Sequence, residues 1–139
     1  MASFNKFSST VTDFARGLHD LNNDVLKIAF TDAPPAATNQ FFGDITEIAA
    51  GNGYTAGGNV APFISGNNVN GLYTLVLGQP SWTATGGNIA QFRYVVLYNS
   101  SLSQGNLLGW WDYGAEIVLT NGNTFAVETD QTNGVLTLQ

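Results

Sequence analysis

Near the N-terminus, apolar residues recur at intervals of three and four, which is the spacing of one face of an α-helix. They are Phe4, Phe7, Val11, Phe14, Leu18 and Leu21. Ser3 is placed to cap this helix and Asn22-Asn23 to end it, so the pattern predicts one helix within residues 3–22. Its apolar face is expected either to pack on the sheet of the same domain or to reach a neighbouring subunit.

After Asp24 the pattern changes to short runs of β-branched, aromatic and other apolar residues separated by turns. The predicted strands are 25–31, 45–49, 60–64, 72–77, 81–84, 89–98, 107–111, 116–119, 124–128 and 135–138. Four Asn-Gly pairs accept the positive φ angles of tight turns, and residues 119–125 form the strongest predicted hairpin. Residues 32–39 and 66–70 are predicted loops.

Many short strands with turns about every ten residues are typical of antiparallel sandwiches, jelly rolls and barrels. The strands lie too close together in sequence for the helical crossovers that parallel sheets need. A chain of 139 residues without a repeat or linker is expected to form one core. We therefore predict a single all-β domain over 1–139, with one short helix at about 3–22 and an antiparallel β-sandwich or jelly roll at about 24–139.

Charged residues make up only 10% of the chain, against about 25% in an ordinary globular domain. The net charge is −6, and the four basic residues are too few to neutralise a run of phosphates, which excludes nucleic acid as a partner. The sequence has no Cys, so disulfides and thiolate chemistry are excluded. Without a signal-peptide pattern or an apolar run of about 20 residues, we expect a soluble protein made in the cytosol, with no membrane partner.

Several patterns that suggest chemistry are better explained as structure. Residues 51–56, GNGYTA, fit a dinucleotide fingerprint, but turn-forming residues follow where a helix would have to begin. His19 has no nucleophile beside it and is expected to be a solvated histidine of the helix. Asp112 and Glu116 would act on glycosides only across a sugar cleft, and no calcium-loop motif is present. We predict no enzymatic activity, no cofactor and no metal site.

The stretch 107–114, LLGWWDYG, concentrates aromatic residues. Adjacent strand residues point to opposite faces, so one of Trp110 and Trp111 is expected in the core and the other near the surface, although a curved sandwich could bury both. An exposed Trp, with Tyr113 beside it, is a candidate interface anchor. Arg93 is expected to pair with a carboxylate, to face solvent, or to form an ion pair between subunits.

Phe4 and Phe7 are further interface candidates, because the N-terminal segment is one of the parts that could reach a neighbouring subunit. Deleting residues 1–10 is then expected to leave a folded domain that binds its partner less well. Binding through neutral and aromatic surface is also expected to survive moderate salt.

Taken in order, several segments resemble the small head decoration, or cement, proteins of tailed bacteriophages. The segments that carry this resemblance are 25-VLKIAFTDAPPAATN-39, 44-DITEIAAGNGYTAGG-58, 92-FRYVVLYN-99, 107-LLGWWDYG-114 and the closing strand NGVLTL. They span nearly the whole chain. They are strands and turns rather than catalytic motifs, so the resemblance concerns fold and role and identifies no contact residue.

The resemblance implies a virion structural protein on the outer surface of a phage capsid. Such a protein would be a homo-oligomer that bridges neighbouring subunits of the major capsid protein and stabilises the shell. A tail-tube or baseplate subunit would have a similar β-rich composition, and a carbohydrate-binding β-sandwich module would use the exposed Trp as a stacking platform. These two alternatives stay open at the level of sequence.

Overall fold

The computed structural model describes residues 2–139, and antiparallel strands are its main regular structure. One α-helix, α1, spans Ser8–Ala15, and a short 3-10 helix spans Phe42–Asp44. The strands in this part of the chain are β1 (Phe4–Lys6), β2 (Leu26–Thr31), β3 (Asn59–Val60), β4 (Phe63–Val69), β5 (Leu72–Leu77), β6 (Ser81–Thr83), β7 (Ile89–Asn99), β8 (Leu107–Leu119), β9 (Thr124–Ala126) and β10 (Leu136–Leu138). The predicted all-β fold with one short helix is confirmed.

The strands form three sheets. The largest has the order β1-β8-β7-β2-β3, the second has the order β10-β5-β4, and the third pairs β6 with β9. Every strand pair is antiparallel. The jelly roll stays a prediction, because the strands opposite the large sheet are divided between two small sheets rather than joined in one.

The large sheet is covered on both faces. Along β7, Val95 and Leu97 join the hydrophobic cluster shared with the two small sheets, whereas Val96 and Tyr98 join a second cluster. Alternate residues of a strand point to opposite faces, so the two clusters lie on opposite sides of this sheet. The second cluster is closed by Phe7 at the start of α1 and by the loop around Phe42.

Phe30 of β2 lies at the centre of the main core. Its ring is fully buried and stacks on Phe92 with a centroid separation of 4.1 Å. Trp82 lies 4.3 Å from Phe30 and Tyr54 5.1 Å away, so residues from β6 and from the loop before β3 meet at one ring. Burying such aromatic rings together is a large part of the driving force for folding.

The predicted helix at 3–22 is shorter than expected and begins later. Residues Phe4–Lys6 are a strand that pairs with β8, where Gly109 leaves room for the Phe4 ring, because a Cβ at Gly109 would lie only 2.1 Å from it. Phe7, not Ser3, precedes the first helical turn, and no side chain caps it. The helix ends at Ala15, ahead of Gly17 with its φ of 73°. Pairing with β8 therefore outweighs the helical spacing of the first apolar residues.

Two turn predictions have opposite outcomes. Asn70-Gly71 joins β4 to β5 with φ angles of 53° and 84°, as a tight hairpin turn requires, although β4 itself extends through most of the predicted 66–70 loop. The predicted hairpin at 119–125 is wrong. The end of β8 pairs with β7, whereas β9 pairs with β6. A turn does form at residues 120–123, but it leads from β8 in the large sheet to β9 in a small sheet, and the two strands do not pair.

Candidate interaction surface

The aromatic interface candidates are distributed over both faces of the large sheet. Trp111 is buried in the main core, with its ring 4.9 Å from that of partly buried Phe4. Trp110 is half-buried on the opposite face, 4.5 Å from the ring of Phe7. The prediction that one Trp enters the core and its neighbour lies near the surface is confirmed. The candidates do not form one continuous patch.

Phe7 is fully buried, so it offers no surface to a partner while the N-terminal segment is in place. The Thr10 hydroxyl, also fully buried, reinforces this docking by donating to the carbonyl oxygens of Leu107 and Leu108, each at 3.0 Å. The start of α1 therefore packs on the sheet of its own chain, which was one of the two arrangements expected, but it does so through Phe7 and the buried polar residues Thr10 and Asp13, while Val11 of the predicted apolar face is exposed.

Arg93 and Asp112 form a bidentate ion pair on neighbouring strands of the large sheet. The two hydrogen bonds from the guanidinium to the carboxylate measure 2.8 and 3.1 Å. This pairing lowers the pKa of the Asp112 carboxyl below its ordinary value. Asp112 is thereby held as an anion, unsuited to the role of general acid. Tyr113 follows it, and its ring packs edge-on against Phe125 at 5.3 Å.

His19 is buried, contrary to the expected solvated histidine of the helix, because the helix ends before it and the chain turns inward. Asn99 donates one hydrogen bond to Nδ1 of His19 at 3.1 Å and another to Asp24 at 2.6 Å. The Nε2 atom of His19 has no hydrogen-bond partner, and Asp13 lies 3.8 Å from it. Burial lowers the pKa of His19 more than the two carboxylates raise it, which favours the neutral ring.

This network connects three parts of the chain. Asp13 on α1 also accepts a hydrogen bond from Asn106 at 3.1 Å, next to the start of β8. The segment after the helix is thereby tied to the connection between β7 and β8. Its hydrogen bonds thus join α1, the segment after it and the β7–β8 connection.

The other motifs considered for chemistry are turns or isolated carboxylates. In the 51–56 motif, the backbone N–H groups of Gly51 and Tyr54 each donate a hydrogen bond to the other residue's carbonyl oxygen. The Tyr54 hydroxyl donates to the Glu47 carboxylate at 2.6 Å. The Gly57 amide donates to the same carboxylate at 2.6 Å. The motif is therefore a turn, and no helix begins at its end. No group of three metal-binding side chains occurs within residues 2–139.

The β4–β5 hairpin, residues 63–77, carries four of the eight large apolar side chains that are exposed within residues 2–139. Ile64 and Val69 of β4 are 55% and 65% exposed, although isolated domains usually cover such residues. Further exposed apolar residues of this region are Val60, Phe63 and Leu72. Exposed apolar side chains grouped on one hairpin make it a candidate for contact with protein.

The hairpin also lies within a long stretch of chain that carries no charge. Between Glu47 and Arg93 the sequence contains no Asp, Glu, Lys, Arg or His. In a chain with a net charge of −6, this uncharged stretch is the feature of the sequence that could have indicated the exposed hairpin. Residues 66–70 were predicted to be a loop, whereas most of them belong to β4, which spans Phe63–Val69.

Strand β4 is an open sheet edge, because it pairs with β5 on one side only. An irregularity between Phe63 and Ser65 leaves Ser65–Val69 in regular register. Natural edge strands are usually protected by charged residues or proline, and β4 contains neither. The β4–β5 hairpin is thus the candidate interaction surface of this protein.

No protein-family model, curated protein or solved structure matches this chain. Within residues 2–139, no helix is long and apolar enough to cross a membrane.

Proposed function

We propose that this protein is a non-catalytic structural subunit that decorates the outer surface of a phage capsid. It bridges neighbouring subunits of the major capsid protein and stabilises the assembled shell as a homo-oligomer. The observation that carries the proposal is the exposed, charge-free β4–β5 hairpin, because such a surface suits contact with protein. The sequence resemblance to phage decoration proteins is the reason for proposing a phage capsid as the partner.

The charge distribution supports attachment outside the shell, away from packaged nucleic acid. The chain has four basic residues, and one of them, Arg93, is already paired with Asp112. A phosphate backbone requires several free cations, so an acidic chain of this kind is repelled by packaged DNA. Neutral amide and apolar groups lose less than ions on leaving water, which favours contact with a protein shell.

Contact through many copies makes a weak individual contact sufficient. A decorating subunit repeats its contact at every equivalent position of the shell, and linked copies bind with an effective concentration that raises overall avidity. Trp110, the more exposed of the two adjacent Trp residues, is a candidate anchor on the face of the large sheet opposite the main core.

Electron microscopy of purified protein mixed with empty phage shells assembled without it tests the proposal. We expect regular density on the outer surface, retained at moderate salt, and a higher disruption temperature for decorated shells, since binding stabilises the assembled state by mass action. Trp110→Ala should lower occupancy, whereas Val118→Ala, at an exposed position of β8, should leave it unchanged.

Shells that stay bare at every salt concentration, or that disrupt at the same temperature with and without the protein, would contradict the proposal. Rings or tubes formed by the purified protein alone would then favour the tail-tube or baseplate alternative. Retention on immobilised polysaccharide would favour the carbohydrate-binding alternative, for which Trp110 is the one partly exposed Trp, since Trp82 and Trp111 are buried.

A further inference from the structure

Strand β4 is the longest strand at the edge of a sheet in the part of the chain that the structure describes. It spans seven residues, whereas the other strands at sheet edges, β1, β3, β6, β9 and β10, span two or three each. The outer side of an edge strand presents unpaired backbone N–H and C=O groups, which form a template for another strand. The length of β4 allows several hydrogen bonds with such a strand.

The sequence of β4 suits pairing with an identical strand. When a strand pairs with its own copy, any charge near its centre lies close to a like charge, which is destabilising. Phe63–Val69 contains no charged residue and no proline, unlike β1, which carries Lys6. The charge-free stretch from 48 to 92 is also where two chains of net charge −6 can approach with the least repulsion.

We infer that β4 pairs with β4 of a second copy of this chain, antiparallel and related by a two-fold axis. The two three-stranded sheets then become one six-stranded sheet with the order β10-β5-β4-β4-β5-β10. The pairing satisfies the outer backbone groups of both strands and covers the exposed side chains beside them, of which Ile64 and Val69 are the most exposed. Because the same patch meets itself, the assembly closes as a dimer instead of growing into a fibre.

The inference deepens the proposed function by naming the contact between copies, and its test needs no shells. Sedimentation velocity of the full chain over a dilution series should show a monomer–dimer equilibrium. Val69→Lys places a charge on the pairing edge and should weaken the dimer by about tenfold or more. Val118→Lys makes the same change in charge and side chain at a 51% exposed position of β8, and should leave the equilibrium unchanged.

Salt and hydrogen exchange give independent measurements on the wild-type protein. Because the edge is neutral and the chains repel each other, added salt should leave the dimer unchanged or strengthen it. Amide exchange within 63–69 should slow as protein concentration rises, while exchange within β1 should not change with concentration. Circular dichroism and thermal unfolding of Val69→Lys would establish that a loss of dimer is not a loss of fold.

Three results would overturn the inference: a monomer at all concentrations, a dimer that Val69→Lys and Val118→Lys affect equally, or a dimer whose 63–69 amides gain no protection. If the protein stays monomeric but Val69→Lys reduces shell occupancy, the edge binds the capsid protein instead. In that case the inference fails while the proposed function stands. If the protein dimerises through β4 but binds no shells, the inference stands and the proposed function fails.

Discussion

Strands β7 and β4 lie in opposite environments. Most of β7 is buried, since the large sheet is covered by the small sheets on one face and by α1 with its neighbouring loop on the other. No residue of β4 is buried. The comparison shows that the large sheet is part of the scaffold that stabilises the domain, whereas β4 is available for contacts outside it, although Leu75 and Leu77 of its partner β5 are buried in the core. The following substitutions test that division.

The largest difference is expected between the same substitution, Phe to Ala, at a buried and at an exposed position. Phe30→Ala should lower the free energy of unfolding by about 3–5 kcal/mol, because it leaves a cavity among Phe92, Trp82 and Tyr54. Phe63→Ala, at a 39% exposed position of β4, should cost about 1 kcal/mol or less. Urea unfolding of dilute protein measures both. Equal losses would mean that β4 belongs to the cooperative core.

The next largest effect concerns the N-terminal segment. Phe7→Ala should cost about 3 kcal/mol, since the ring is fully buried, while Val11→Ala, at a 56% exposed position of α1, should change stability by about 0.5 kcal/mol at most. The expectation that deleting residues 1–10 leaves a folded domain is therefore revised, because the deletion removes β1 and Phe7. A truncated chain with an unchanged thermal midpoint would show that this segment is dispensable to the scaffold.

Acidification is expected to have a smaller effect on the free energy of unfolding, through the buried His19. Burial holds the pKa of folded His19 below its ordinary value of 6.5, so the unfolded chain takes up the proton first as the pH falls. Stability should be complete above about pH 6.5 and should fall as the pH drops from there toward the lowered pKa. His19→Gln should flatten the dependence of the urea midpoint on pH in that window. This is the only His in the chain, so its proton resonances can be titrated directly.

The smallest effect is expected at the ion pair of Arg93 and Asp112. Both side chains are partly exposed, and exposed ion pairs contribute little because water and salt screen them. Asp112→Asn should shift the urea midpoint less than any substitution above, and the shift should shrink further with added salt. A large, salt-independent loss would show that this pair fastens β7 to β8 more firmly than its exposure indicates.

Local patterns predicted much of the strand structure. The prediction 72–77 coincides with β5, 25–31 exceeds β2 by one residue, and Asn70-Gly71 is a hairpin turn with positive φ at both positions. These features depend on alternation of side chains and on the conformational freedom of one dipeptide, which neighbouring residues determine. The alternation between Trp110 and Trp111 is predictable for the same reason.

The candidate surface was harder to predict, because exposure depends on what covers a strand. Ile64 and Val69 are apolar residues in a β-rich segment, and nothing local distinguishes them from buried counterparts such as Val95. His19 shows the reverse case, in which a polar residue after a short helix is buried by Asn99 from a distant strand. Both outcomes depend on contacts between residues far apart in the chain.

By itself, the sequence determined an all-β chain with one short helix, a low charge density and a charge-free stretch between Glu47 and Arg93, since these follow from composition and from local spacing. Only the tertiary structure decided that Phe4–Lys6 is a strand, that β9 pairs with β6 instead of β8, and that β4 lies at an open edge. The physical reason is that a strand gains its hydrogen bonds and its cover from segments distant in sequence, so its neighbours fix both its pairing and its exposure.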